Sequence, residues 1–392
     1  MKMDKRMLVV MAILMTTFVG FGIIIPVMPE IILETASSRA ELHNGAILAI
    51  YSLVSFILSP FWGGWSDRIG RRSIIIVGLI GFSISFLMFG LVAGNLPLMY
   101  VARALGGLFS GAVTSVIVAY VADITTPETR TKGMAFVGIS IGFGFMIGPA
   151  IGGMLSVVSL NTPFYVAAAL ALVTAIFAIA ILKDTGVRSN EAKVSRWKAF
   201  EGVSKYLYVL AFFVTFTLAF IEATLQLFGI QRFDVTPEQV GLMFLYCGLA
   251  GALVQGGVIR RYVKPGQEPK FIVIGLIISA IGFFMLLGAH SLTWATISLV
   301  VFGIGNALTR PCITSLITLK TKVGTGVASG LSNSMDSLGR IAGPLIGSLL
   351  FYFSITLPYI VAGALCLLAL MLVYQFKLAD RKANPASVTG AK

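Results

Sequence analysis

Mostly apolar runs of about 18–25 residues recur twelve times along this chain, and each is long enough to cross roughly 30 Å of hydrocarbon. The spans drawn from them cover residues 7–29, 44–64, 73–93, 96–122, 133–156 and 162–182 in the first half of the chain. In the second half they cover 206–231, 237–259, 270–290, 292–318, 325–351 and 355–377. Nothing between them is long enough for a sizeable soluble domain. Only 11% of the 392 residues are charged, less than half the ~25% of an ordinary soluble domain. The chain reads as an all-α integral membrane protein.

The net charge of +13 raises the question of a nucleic-acid partner, which the placement of the charges answers. With those spans, 24 of the 29 Lys and Arg fall in segments on one side of the membrane. The opposite side holds only Arg39 and Arg232. Short loops rich in Lys and Arg stay in the cytoplasm, so both termini are expected there. The basicity is topological: the bilayer is the expected partner, and no nucleic acid is.

Cys247, Cys312 and Cys366 lie in three different spans and read as small buried apolar residues, not as a metal site or disulfide framework. The first run follows Lys2, Lys5 and Arg6 like a signal peptide, but it is too long and has no clear cleavage site, so it is expected to remain as a helix. No G-x-x-x-x-G-K-[ST] segment suggests an ATPase. His43 and His290, the two histidines, have no nucleophile motif beside them, so a hydrolase is not expected. No cofactor is implied, and the energy source is expected to be an ion gradient.

The charged stretch 183–205 divides the chain nearly in half and reads as a cytoplasmic linker, with room for a short amphipathic helix on the membrane surface. Residues 1–182 and 206–392 are then two six-helix halves. A repeat supports the division. Gly144, Gly148, Pro149, Gly152 and Gly153 in the fifth span are matched by Gly339, Gly343, Pro344, Gly347 and Ser348 in the eleventh, 195 residues later without a gap. Small residues at that spacing let membrane helices approach closely.

The loop expected after the second span reads Gly63-Gly-Trp-Ser-Asp67-Arg68-Ile-Gly70-Arg71-Arg72. Asp67 can accept hydrogen bonds at a helix N-terminus, where a carboxylate is favoured. Arg68 and Arg71 can reach Asp123 at the cytoplasmic end of the fourth span. Such a cluster can act as a cytoplasmic gate, or the arginines can simply anchor the topology. The corresponding loop of the second half keeps Arg260, Arg261 and Lys264 but has no aspartate.

This loop resembles the G-x-x-x-D-R-x-G-R-R segment of the major facilitator superfamily. Arg103 to Gly107 resembles that superfamily's R-x-x-x-G segment, and Gly144 to Gly153 resembles the fifth-helix element of its drug/proton antiporters. Gly20 to Pro29 resembles the first-helix P-x-x-P ending of twelve-helix drug exporters. Glu222 in the seventh span and Arg310-Pro311 in the tenth look like the multidrug pumps of the NorA/Bmr type, except that Asn306 stands where those pumps carry an acid. The resemblance implies two pseudo-symmetric halves of six helices in a bacterial cell membrane. It also implies proton-coupled export of amphipathic, often cationic or zwitterionic compounds by a monomer working through alternating access.

Charges inside a membrane cost at least ~2.5–3.5 kcal/mol each on insertion scales, so they point to function. Five lie well within spans: Arg103, Glu222, Arg310, Asp336 and Arg340. Asp336 and Arg340 stand four apart on one helix and are expected to pair along it. Glu222 has no opposite charge at that spacing and is the leading candidate for proton exchange, with Asp336 second. Gln226, one turn on, can assist it. Arg103 can couple to either acid or make a structural pair, and Pro311 suggests a helix break beside Arg310. Phe18, Phe21, Phe136, Phe143, Phe145 and Phe228 are candidates for an adaptable apolar pocket. A narrower exporter of a tetracycline-like drug, a sugar or a metabolite is an alternative, as is a lipid translocase. The absence of any acid between Met7 and Pro29 weakens the tetracycline reading.

Overall fold

The computed structural model describes residues 5–36, 38–185, 200, 202–264, 266–321 and 325–383. Most of the expected linker, 186–199 and 201, lies outside the described residues, as does its proposed amphipathic helix. No strand occurs among the described residues. The helices are α1 Lys5–Ile23, α2 Met28–Thr35, α3 Ala40–Ile69, α4 Arg71–Val92, α5 Leu96–Ile124, α6 Pro127–Ser156 and α7 Thr162–Ile181. They continue with α8 Ser204–Phe233, α9 Pro237–Leu253, a π-helical turn Val254–Ile259, α10 Arg260–Tyr262, α11 Glu268–Leu287, α12 Leu292–Lys320, α13 Thr325–Phe353 and α14 Leu357–Ala383.

Eleven of these segments are long and apolar enough to cross a membrane, α9 and α10 counting as one with the π turn between them. The twelfth expected span, α13, is as long as the others but is interrupted by Ser332, Asn333, Ser334, Asp336, Ser337 and Arg340. Asp336 and Arg340 meet partners on neighbouring helices, described below, whereas Ser334 and Ser337 donate to carbonyls one turn back on α13.

Two expectations about helix ends need correction. The first span does not run unbroken to Pro29. It ends at Ile23, turns through residues 24–27 and restarts as α2 with Pro29 in its first turn. Proline tolerates the start of a helix because the amide it lacks would be unpaired there anyway. Conversely, Pro311 does not break the tenth span, for α12 runs through it to Lys320. A membrane helix can absorb one lost backbone bond when neighbouring groups compensate.

The chain divides into two compact units, Met1–Glu191 with Asp234–Leu245, and Ala192–Phe233 with Tyr246–Lys392. The start of α9 therefore groups with the N-terminal helices, where Gly241 lies against the Pro149 carbonyl and Gly153 against Pro237 and Glu238.

Each unit is assembled the same way. In the first, the glycine face of α6 lies against α1. A Cβ on Gly144 would meet Phe18 Cβ at 2.8 Å, one on Gly148 would meet the Val19 carbonyl at 2.8 Å, and one on Gly152 would overlap the Ile23 carbonyl. In the second, the glycine face of α13 lies against α8. There a Cβ on Gly339 would come within 2.9 Å of the Phe216 amide nitrogen and one on Gly343 within 2.6 Å of Ala219 Cβ. Backbones this close gain dispersion contacts that lipid cannot match, which is how membrane helices associate without a hydrophobic drive. Around each pair an apolar core closes: Val10, Ile13, Leu79, Val113 and Tyr120 in the first unit, Leu207, Leu210, Leu276, Ile313 and Phe376 in the second. Exposed apolar side chains such as Ile176 and Phe177 on α7 and Met371 on α14 suit a lipid-facing surface.

Candidate functional site

The first constellation sits where α3 meets α4. The sequence suggested a loop, but α3 continues to Ile69, so Gly63, Asp67 and Arg68 belong to its last turns. Only Gly70 separates the helices. Its φ of +100° favours glycine, and the Asp184 carboxylate lies against it where a side chain would begin. Arg71 opens α4 and is almost fully buried. Its guanidinium approaches Asp67 Oδ1 at 2.6 Å and donates from Nε to Asp123 Oδ2 at 3.1 Å, with Ser66 as a third partner. Among the described residues Asp67 is thus met by the Arg71 side chain, with no backbone amide on it. Arg68, expected to share this task, is exposed and makes none of these contacts. The break at Gly70 sets Arg71, the first residue of α4, against Asp67 at the end of α3, whereas Arg68, adjacent to Asp67 on α3, leaves that helix about 100° away. Arg72 donates to the Ile179 carbonyl at 2.7 Å, and Thr185 donates to Asp123 Oδ2 at 3.1 Å. These two contacts tie the end of α7 and the residues after it to the cluster.

The second constellation lies in the C-terminal unit. The expected pairing of Asp336 with Arg340 along α13 is replaced by pairings across helices. Asp336 accepts from Arg310 Nη2 on α12 at 3.1 Å and from Thr215 Oγ1 on α8 at 2.6 Å. Arg340 Nη1 reaches Glu222 Oε2 on α8 at 3.4 Å. Close approach of α13 to α8 at Gly339 and Gly343 brings the acid of one helix to the arginine of the other. A small recess beside Arg310 and Asp336 is lined also by Ala211, Val214, Ile313, Thr314 and Ser332. Gln226 is buried one turn beyond Glu222, and neither of its amide atoms has a partner among the described residues. Asn306 is half-buried on α12, one turn before Arg310. Thr215 escaped sequence reading, although its place two turns before Glu222 on one helical face could have marked it.

The remaining candidates are dispersed. Arg103 is buried on α5 with its guanidinium 4.4 Å from the centre of the Tyr51 ring, and its Nε and Nη2 have no hydrogen-bond partner among the described residues. Phe18 and Phe21 both pack on Phe145, at ring-centre distances of 4.9 and 5.4 Å. Phe143 is substantially exposed, and Phe136 packs at the edge of the N-terminal core. Phe228 does not line a pocket as expected. It is fully buried inside its own unit, 5.0 Å from the Tyr359 ring and 5.3 Å from the Arg232 guanidinium.

Membrane-length helices packed through a repeated glycine-proline element, with ion pairs buried among them, define a polytopic helical membrane protein. The model of the Major Facilitator Superfamily matches residues 10–342, and the chain belongs to that superfamily. It is 30% identical over 381 residues to multidrug resistance protein 1 of Bacillus subtilis, covering 96% of this chain and 97% of that one. It is also 30% identical over 382 residues to the quinolone resistance protein NorA of Staphylococcus aureus, covering 95% and 96%. Among solved structures, the human organic anion transporter MFSD10 superposes with a TM-score of 0.73 at 23% identity, over 95% of this chain and all of that one. A bacterial homologue of the human lysosomal transporter Spinster gives 0.71 at 15% identity, over 96% of both.

Proposed function

We propose that this protein is a multidrug efflux transporter of the bacterial cell membrane, exporting amphipathic, often cationic or zwitterionic compounds in exchange for protons by alternating access. Relatives named for multidrug and quinolone resistance, alike over nearly the whole chain, support the substrate class. The positive charge bias supports both termini in the cytoplasm.

The observation that carries the coupling is Glu222: a carboxyl group 7% exposed, inside a membrane-length helix, held by a single arginine at 3.4 Å. An acid in that position takes up a proton when its counter-ion leaves and gives it up when the counter-ion returns. Protonation leaves the arginine's positive charge unpaired, which releases a cationic substrate; deprotonation restores the pair and with it substrate binding. The Arg71–Asp67–Asp123 cluster serves as the cytoplasmic gate, held closed while its ion pairs are intact. Arg103, whose Nε and Nη2 have no protein acceptor among the described residues, suits the anionic end of a zwitterion.

Purified protein in liposomes containing a pH-sensitive dye tests the exchange. Adding ethidium to one side is expected to drive proton movement in the opposite direction, and Glu222→Gln is expected to abolish it. Ethidium transport with no accompanying proton flux would refute the coupling.

A further inference from the structure

Glu222, Arg340, Asp336 and Arg310 form one alternating ladder over three helices, and its exposure rises rung by rung. Their side chains are 7%, 14%, 21% and 39% exposed in that order. The Glu222–Arg340 and Arg310–Asp336 pairs are the rungs observed at 3.4 and 3.1 Å. The middle step, Asp336 to Arg340, is one helical turn along α13, a spacing at which a long arginine side chain reaches a carboxylate. Arg340 therefore has two acids within its range and holds the less exposed one. Arg310, at the more exposed end, borders the recess beside Asp336.

We infer that Arg340 is the positioning residue that converts protonation of Glu222 into a released charge at Arg310. This rests on the proton-coupled reading above. With all four groups ionised the ladder is neutral. A proton added to a Glu222 carboxylate oxygen leaves one unpaired positive charge, which is least tolerable at the driest rung. Arg340 turns from Glu222 to Asp336, Arg310 gives up its hold on Asp336, and the surplus charge emerges where water can solvate it. No bond breaks apart from hydrogen bonds, and the proton stays on Glu222. Thr215 keeps its 2.6 Å bond to Asp336 throughout and fixes that carboxylate while its cation is exchanged. Among the described residues, the charges acting on Glu222 from the helices packed on α8 are Arg340 of α13 and Arg310 of α12; Asp336 of α13 meets α8 at Thr215 and Tyr359 of α14 meets it at Thr224. Tyr359 is occupied by Thr224 at 3.2 Å. A freed guanidinium beside the recess repels a cationic substrate, so one proton acts on the cargo at a distance from where it binds.

The test is a cryo-EM structure of full-length Glu222→Gln in lipid nanodiscs, the substitution standing for the protonated acid. Arg340 is expected against Asp336, with Arg310 detached. Arg340 still against residue 222, with Arg310 still on Asp336, would overturn the relay. Wild-type structures at pH 5 and pH 8 ask the same question if that variant does not fold. The pH dependence of ethidium affinity gives a second readout. Asp336→Asn removes the alternative partner and is expected to lower its midpoint by about one pH unit or more. Arg310→Gln leaves Asp336 freer to accept Arg340 and is expected to raise it. A midpoint unmoved by Asp336→Asn would count against the relay. Ethidium affinity indifferent to pH in the wild type would count instead against proton coupling, and the Glu222→Gln structure would still decide the geometry.

Discussion

Arg71 and Asp123 meet at 3.1 Å where α4 begins and α5 ends, with Asp67 of α3 on the other side of the same guanidinium. One buried arginine thus fastens three helices of the N-terminal unit, while its neighbour Arg68 faces outward.

Arg71→Ala leaves two carboxylates without their shared cation. Removing one partner of a buried pair costs about 3–5 kcal/mol. A large fall in melting temperature is therefore expected in detergent, whereas Arg68→Ala stays within about 0.5 kcal/mol of wild type. Equal losses from the two substitutions would show that the motif is valued only for its charge.

Gly152 touches the backbone of Ile23, so a side chain there forces α6 away from α1. Gly152→Val is expected to cost at least about 1–3 kcal/mol through overpacking, or to prevent assembly. Gly142 on the same helix has no neighbour within 4 Å of an added Cβ, and Gly142→Ala serves as the control. Size-exclusion profiles and thermal melts of the two variants distinguish them. A normally packed Gly152→Val would contradict the close approach.

Glu30, in the first turn of α2, has its carboxyl pushed above the ordinary 4.5 by burial first and by Glu34 second. The folded protein therefore holds that proton more tightly than the unfolded chain. The site costs nothing below about pH 4.5, where both states are protonated, and it becomes unfavourable as pH rises through the folded value. Glu30→Gln should then melt higher than wild type at pH 8, with the difference vanishing towards pH 4. A pH-independent difference would assign the effect to something other than this carboxyl group.

The sequence revealed whatever depends on spacing along one chain. Span lengths follow from the thickness of the bilayer, and the G-x-x-x-G-P-x-I-G repeat places the same close-packing face on α6 and α13. Partners on different helices were not legible. Asp336 and Arg340 have the spacing of a helical pair, yet their partners sit on α12 and α8, because contacts across helices depend on packing that no local pattern encodes. Helix continuity was misread for a related reason. Pro26 and Pro29 accompany an interruption whereas Pro311 does not, and the difference lies in the surroundings of each proline, not in the residue.

Glu222 is the centre of this account, and efflux of ethidium from cells tests it most directly. Wild type and Glu222→Gln are compared at matched expression, each with and without a protonophore. Wild-type cells should extrude the dye until the protonophore is added, and Glu222→Gln cells should fail to extrude it under either condition. Normal, protonophore-sensitive extrusion by Glu222→Gln would remove Glu222 from the coupling and move Asp336 into its place.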